Sequence, residues 1–220
     1  MKIFGLTGAA AAVVMSLALA PIGAAAQEGF KCAPGETYIM NVMVSAHPYW
    51  VPVYQGFKQA AEAMGCETVF SGTPDYDITK QIASFEQDLV KSPAGVLLHP
   101  MQSDPFIEPI NRAIEGGVSV TTFAADSPNS KRTAYVTSDN LAEAKFAAEE
   151  IVKQVGDAAE YAVLENPGQS NHDLRVTALI AYMEKNYPNM KLVGRQASNQ
   201  DSNAAYRAVA SMLQANPNLA

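Results

Sequence analysis

The feature that most constrains this chain is an alternation of short apolar runs with longer segments of helical period. Residues 38–44 form a mostly apolar run of strand length, and Val53, Phe57, Ala60, Ala61 and Met64 then recur at helical spacing as far as Gly65. The cycle repeats. Residues 67–70 read as a strand, with Ile78, Ile82, Phe85 and Leu89 on the next helix. Residues 95–98 read as another, followed by a helix through Ile107, Ile110 and Ile114 that Gly116-Gly117 closes. Residues 118–123 and 134–136 supply two further strands. A second series runs through a helix (Leu141, Ala148, Ile151, Val152, Val155), a strand at 161–164, a helix (Val176, Leu179, Met183, Tyr187), a strand at 191–193 and a helix (Val209, Met212, Leu213). Strands separated by helices run parallel, in sheets covered on both faces. The chain stops at Asn216-Pro217-Asn218-Leu219-Ala220, after a helix and before the strand that helix should feed, so the expectation is a piece of a longer chain with an incomplete second series.

The first residues bear on compartment. Lys2 is followed by an apolar stretch from Leu6 to Ala20, a Pro21/Gly23 break and Ala24-Ala25-Ala26. That pattern describes a secretory signal peptide over residues 1–26, cut near Ala26, with a short tail at 27–36. A membrane anchor is the alternative, but a spanning helix wants about 20 apolar residues without such a break. The chain carries a net charge of −7, and a leader whose only charge is Lys2 would leave −8 behind. An acidic protein without a basic cluster is a poor partner for nucleic acid or anionic lipid. Cys32 and Cys66 are the only cysteines. After export an even pair invites a disulfide, with two buried free thiols as the alternative.

In an open parallel sheet, ligands bind beyond the carboxyl ends of the strands. Those edges here are residues 45–50 (SAHPYW), 71–77 (SGTPDYD), 99–104 (HPMQSD), 124–130 (AADSPNS) and 165–172 (ENPGQSNH). They hold aromatics, amides, hydroxyls and a few carboxylates. No glycine-rich phosphate loop follows any strand, which argues against dinucleotide or triphosphate cofactors, and no cofactor is expected. His47, His99 and His172 never stand at i, i+4 or in an HExxH arrangement, so no metal site is expected and they read as ordinary loop residues. No G-x-S-x-G elbow follows a strand, so a secreted α/β hydrolase has no candidate nucleophile and no enzyme is expected. A sugar or polyol suits such edges: its C–H faces pack on rings, and its hydroxyls take bidentate partners such as Asp, Asn and Arg. Trp50, the sole tryptophan, falls on the first edge; the alternative for it is a core anchor.

At these residues the chain resembles the periplasmic sugar-binding proteins of the ribose/galactose type. The likeness runs from about Tyr38 to Ala220. It is carried by residues 44–50 (VSAHPYW), 81–100 (QIASFEQDLVKSPAGVLLHP) and 118–140 (VSVTTFAADSPNSKRTAYVTSDN), by Arg175 and by the final ANPNLA. The resemblance implies the type I periplasmic binding protein fold: two doubly wound α/β lobes, residues 37–139 and 140–220, the second truncated at its C-terminus. It implies a monomer that encloses a sugar or polyol between its lobes and hands it to an ABC-type membrane permease in the periplasm. A chemoreceptor or sensor kinase as partner, or a non-sugar solute, is the alternative. His47 stands where the family has a sugar-contacting Asn, Tyr49 and Trp50 where it has stacking aromatics, and Arg175 matches an arginine reaching in from the second lobe. Asn140 falls near the first crossover between lobes. The family's hydroxyl-binding aspartate falls on Ala124, so either Asp126 serves instead or the ligand lacks that contact.

Overall fold

A computed structural model describes residues 31–220; the signal-peptide reading and residues 27–30 of the tail lie outside the described residues. Five strands form one parallel sheet in the order β2-β1-β3-β4-β5: β1 Thr37–Val42, β2 Glu67–Gly72, β3 Gly95–Leu98, β4 Ser119–Phe123 and β5 Ala134–Val136. Three helices connect the first four of them, α1 Trp50–Met64, α2 Ile78–Val90 and α3 Ile107–Glu115, the last entered through a single 3₁₀ turn at Asp104–Phe106. A second parallel pair, β6 Glu160–Glu165 and β7 Lys191–Ala197, is served by α4 Asn140–Val155, α5 Ser170–Asn186 and α6 Ser202–Ala215. Near the end, Leu219 bridges in parallel to Glu160, on the edge of β6.

The period of two along β1 decides which helix covers which face. Ile39 points to one side, where Phe85 of α2 and Phe106, Ile110 and Ala113 of the α3 region complete a buried cluster with Val96, Leu98 and Val120. Met40 and Val42 point to the other, where Trp50 closes a second cluster with Met43, Met101 and Phe123, and Val53 and Phe57 of α1 pack against it. Both faces are therefore apolar, as continuous Val/Ile/Leu-rich strands require. In the second series, Ala148, Tyr161, Met183 and Met190 form a smaller core under α4 and α5. On the far side α6 lies close enough to β7 that a Cβ on Gly194 would stand 3.0 Å from Met212 Sδ.

Three of the helices, α2, α4 and α6, start at side-chain caps. Asp77 accepts from the Lys80 amide, Asp139 from those of Leu141 and Ala142, and Asp201 from that of Ala204. β2 ends at Gly72, whose φ of +133 carries the chain so near Val42 that a Cβ would sit 1.9 Å from its carbonyl oxygen; no other residue fits.

Cys32 and Cys66 form a disulfide, with Cα atoms 5.2 Å apart and a sequence separation of 34. It staples the start of the described chain to the α1–β2 junction, where the Cys32 amide also donates to Met64 O at 3.0 Å. Closing a loop of this length stabilises the folded state by about 3–4 kcal/mol in the chain-entropy account. The double variant Cys32→Ser/Cys66→Ser is expected to lose that much in urea unfolding. An unchanged midpoint would show that the staple contributes nothing.

Candidate functional site

The carboxyl ends of β1, β3 and β4 converge where the strand order reverses between β1 and β3, and the β6–α5 connection closes over them. A cavity of about 300 Å³ lies there. On the first sheet's side it is walled by Met43, Val44, His47, Tyr49 and Trp50 after β1, His99 after β3 and Ala124 after β4. Thr137, Ser138 and Glu143 line it from the crossover into α4, and Gln169, Asn171, His172, Arg175 and Gln200 from the second series.

Four of the residues picked from sequence meet at this cavity: His47, Tyr49, Trp50 and Arg175. His47 Nδ1 accepts from the Tyr49 amide at 3.1 Å, which orders the turn into α1 and leaves Tyr49 56% exposed. Trp50 is only 5% exposed. Its Nε1 donates to Met43 O at 2.9 Å, and its ring meets those of His99 and Phe123 edge-on at 4.9 and 5.9 Å. It is thus a core anchor whose rim touches the cavity, not a free stacking face. Arg175 Nη1 donates to Glu143 at 3.0 Å and to Asn140 Oδ1 at 3.4 Å. Asn140, buried, does not line the cavity; it stands behind Arg175 and steadies it.

Asp126, one of the two alternatives the sequence left open for the hydroxyl contact, lies away from the cavity wall. It is 6% exposed. Both carboxylate oxygens bind the Arg132 guanidinium, and Oδ1 also accepts from Thr122 Oγ1 at 2.6 Å and the Ser127 amide at 2.8 Å. Burial alone would raise its pKa, but these partners outweigh it and hold the carboxyl below its ordinary value. A carboxylate so engaged is held among its own loop's donors, away from the cavity wall. At Ala124 the cavity carries a methyl group, on a backbone with φ of +56. Val44 and Gln200, also in the wall, likewise adopt the left-handed region, at φ +44 and +58. Such strain persists only where surrounding structure over-determines it, and it gathers at binding sites.

Sequence reasoning picked His47 but passed over His99 and His172. All three in the chain, His47, His99 and His172, line this one cavity. The available signal was their place on the chain segments that follow β1, β3 and β6, His172 already within the first turn of α5. His99 is set by Gln81, a fully buried amide of α2 that donates to His99 O at 2.7 Å and accepts from the Met101 amide at 2.9 Å. Burial, with His172 adding to it against an opposing backbone hydrogen bond, pushes the His99 pKa down to about 3. The imidazole is neutral at ordinary pH. Burial and then Arg175 lower His172 as well. Glu143 is held low, chiefly by a hydrogen bond from Ser138 and also by Arg175.

The polar groups of the wall are unevenly satisfied. Among the described residues, three buried side-chain atoms lack a hydrogen-bond partner: His99 Nδ1, Gln169 Oε1 and Asn171 Oδ1. Each belongs to a residue of this cavity. Buried polar atoms are rarely left unpaired, since each costs about 1–3 kcal/mol. Their gathering at one cavity marks a place where a guest or ordered water completes the bonding. The wall's two full charges, Glu143 and Arg175, neutralise each other at 3.0 Å.

Residues 39–220 match the model of the periplasmic binding protein domain. The chain belongs to that family. It is 26% identical over 192 residues to the D-allose-binding periplasmic protein of Escherichia coli (strain K12), covering 83% of this chain and 61% of that protein. The D-apiose import binding protein of Actinobacillus succinogenes is 26% identical over 187 residues, with 82% and 59% covered. Among solved structures, a sugar ABC transporter (sugar-binding protein) from Bacillus halodurans superposes with a TM-score of 0.76 at 29% identity, covering 84% of this chain and 64% of that one. The chain therefore spans about three-fifths of the length of the curated relatives it matches. As a periplasmic binding protein it has the α/β parallel-sheet architecture expected of its alternating strands and helices.

Proposed function

We propose that this chain is a solute-binding component of an ABC-type sugar importer, acting in the periplasm, which encloses one uncharged sugar or polyol between lobes 37–139 and 140–220. The observation that carries the reading is the set of three partnerless buried atoms at the cavity, two of them amide oxygens and the third a neutral imidazole nitrogen. A guest rich in hydroxyls offers donors to the amide oxygens and, acting as donor or acceptor, completes the imidazole. With Glu143 and Arg175 paired, the wall carries no net charge to attract an ionic guest. The named relatives are described as binding D-allose and importing D-apiose, which fits the same chemistry.

The guest is held, not transformed. Open and closed arrangements exchange, and the guest favours the closed one because only there do both lobes reach it. A permease would read the closed shape. Titration with pentoses, hexoses and polyols, followed by Trp50 emission and melting temperature, tests this directly. Trp50 touches the cavity and is the only tryptophan, so occupancy reports at one site. A guest at 100 times its dissociation constant should add about 2.7 kcal/mol of stability. Arg175→Ala should weaken binding roughly 10- to 100-fold, the worth of a charge-assisted hydrogen bond. If no sugar or polyol raises the melting temperature, the proposal fails.

A further inference from the structure

The peptide of Asp126 is pinned on every side. Its carboxylate is held by Arg132, Thr122 and the Ser127 amide, and its carbonyl oxygen accepts from Ser103 Oγ at 2.7 Å. Ser127 Oγ donates in turn to Ser103 O at 2.7 Å, tying the β3 and β4 loops together. The one group left over, the Asp126 amide, does not bond within its own sheet's loops. It donates across to Ser170 Oγ at 2.7 Å, at the first residue of α5.

That bond does not stand alone. The β6–α5 connection lies along loops that follow β2, β3 and β4 of the first sheet. Gly168 faces Gln102 of the β3 loop, where a Cβ would sit 3.6 Å from Gln102 Cγ. Tyr76 of the β2 loop has its phenol pKa raised by burial and then by the Asp173 carboxylate of α5. Ser170 itself is flanked by Gln169 and Asn171, which carry two of the three partnerless atoms at the cavity. Where Ser170 is fastened, those two amides are fastened too.

We propose that Ser170 and the Asp126 amide form a closure latch, independent of any guest, that holds the β6–α5 connection over the cavity and positions Gln169 and Asn171. This rests on the two-lobe clamp proposed above. Opening the lobes would cost the rigidly held Asp126 amide its acceptor, so the bond biases the protein towards the closed form before a guest arrives. Asp126 then acts through Ser170 as a positioning residue and makes no ligand contact. A pre-biased closed form binds more tightly, because less of the guest's binding free energy goes into shifting the population.

The test compares wild type, Ser170→Ala and Ser170→Thr without any sugar. Spin labels on unnatural side chains at the exposed positions Lys58 of α1 and Lys185 of α5 report the distance between lobes. Ser170→Ala should lower the closed-to-open ratio about two- to tenfold, the range for one hydrogen bond. Ser170→Thr keeps the accepting oxygen and should restore the wild-type distribution, which a merely structural role at this position would not predict. Identical distributions for wild type and Ser170→Ala, or a threonine variant that behaves like alanine, would overturn the latch. Repeating the wild-type measurement with D-allose, D-ribose and xylitol separates the two ideas. A distance that no sugar shortens counts against the clamp, while the sugar-free comparison still decides the latch.

Discussion

Acidification from pH 7 to pH 4.5 is expected to destabilise the wild-type protein by about 2.5 kcal/mol more than a His99→Gln variant, rising to about 4 kcal/mol near pH 3. The cause is the buried imidazole at the cavity. His99 is 2% exposed, and its ring is packed against those of Trp50 and Phe123. Its pKa is lowered to about 3, so below pH 6.5 the unfolded chain takes up a proton that the folded chain refuses. The folded pKa lies below the unfolded one for a base, so stability is full above about pH 6.5 and drains away as pH falls towards 3. His172, also lowered, adds in the same direction. Asp126, held below its ordinary value, loses its contribution only below about pH 4, and does so alike in both proteins, so it drops out of the difference. Urea unfolding at the two pH values gives the difference. Proton NMR of the His99 ring gives an independent reading, with no titration expected above pH 4. Parallel pH profiles for the two proteins, or a ring that titrates near 6.5, would refute the account.

Most of the fold was legible because apolar period survives in the sequence wherever a helix covers a strand. Ile78, Ile82, Phe85 and Leu89 mark α2 along almost its whole length, and the elements read from sequence appear in the structure in the same order. What the period cannot carry is strand order. β1 lies between β2 and β3, and nothing in residues 38–44 says so. Element ends were also blurred. β7 runs on to Ala197 beyond its apolar residues, and α1 begins at Trp50, a residue read from sequence as part of a loop.

The site was legible as a set of loops and much less so as a set of side chains. Parallel topology brings the ends of β1, β3 and β4 to one edge of their sheet and that of β6 to the matching edge of its own, so loops holding His47, His99 and Gln169 could be named in advance. Which side chain turns inward depends on competing partners that sequence spacing does not reveal. His99 is placed by Gln81, 18 residues earlier, through its backbone rather than its ring. Asn140 serves Arg175, 35 residues away. Trp50 looked like a stacking platform, yet the Met43 carbonyl claims its indole N–H and draws the ring into the core.

Asp126→Ala should then cost about 3–5 kcal/mol of stability with no sugar present. Alanine removes the acceptor for Thr122 and the Ser127 amide and leaves Arg132, whose side chain is only 24% exposed, without its carboxylate. Asp126→Asn keeps the shape and some of these bonds but not the charge, and should fall in between. Adding Arg132→Met to the alanine variant should recover part of the loss, because the stranded guanidinium accounts for much of it. A residue whose task was to grip a hydroxyl would behave in the opposite way. It would be desolvated and unpaired in the empty protein, so its removal would weaken sugar binding while leaving the sugar-free protein as stable as before, or more so. Thermal unfolding of the two single variants and the double variant, each without ligand, therefore distinguishes a strut from a contact. Asp126→Ala with wild-type stability would return this carboxylate to the cavity and remove the anchor on which the Ser170 latch depends.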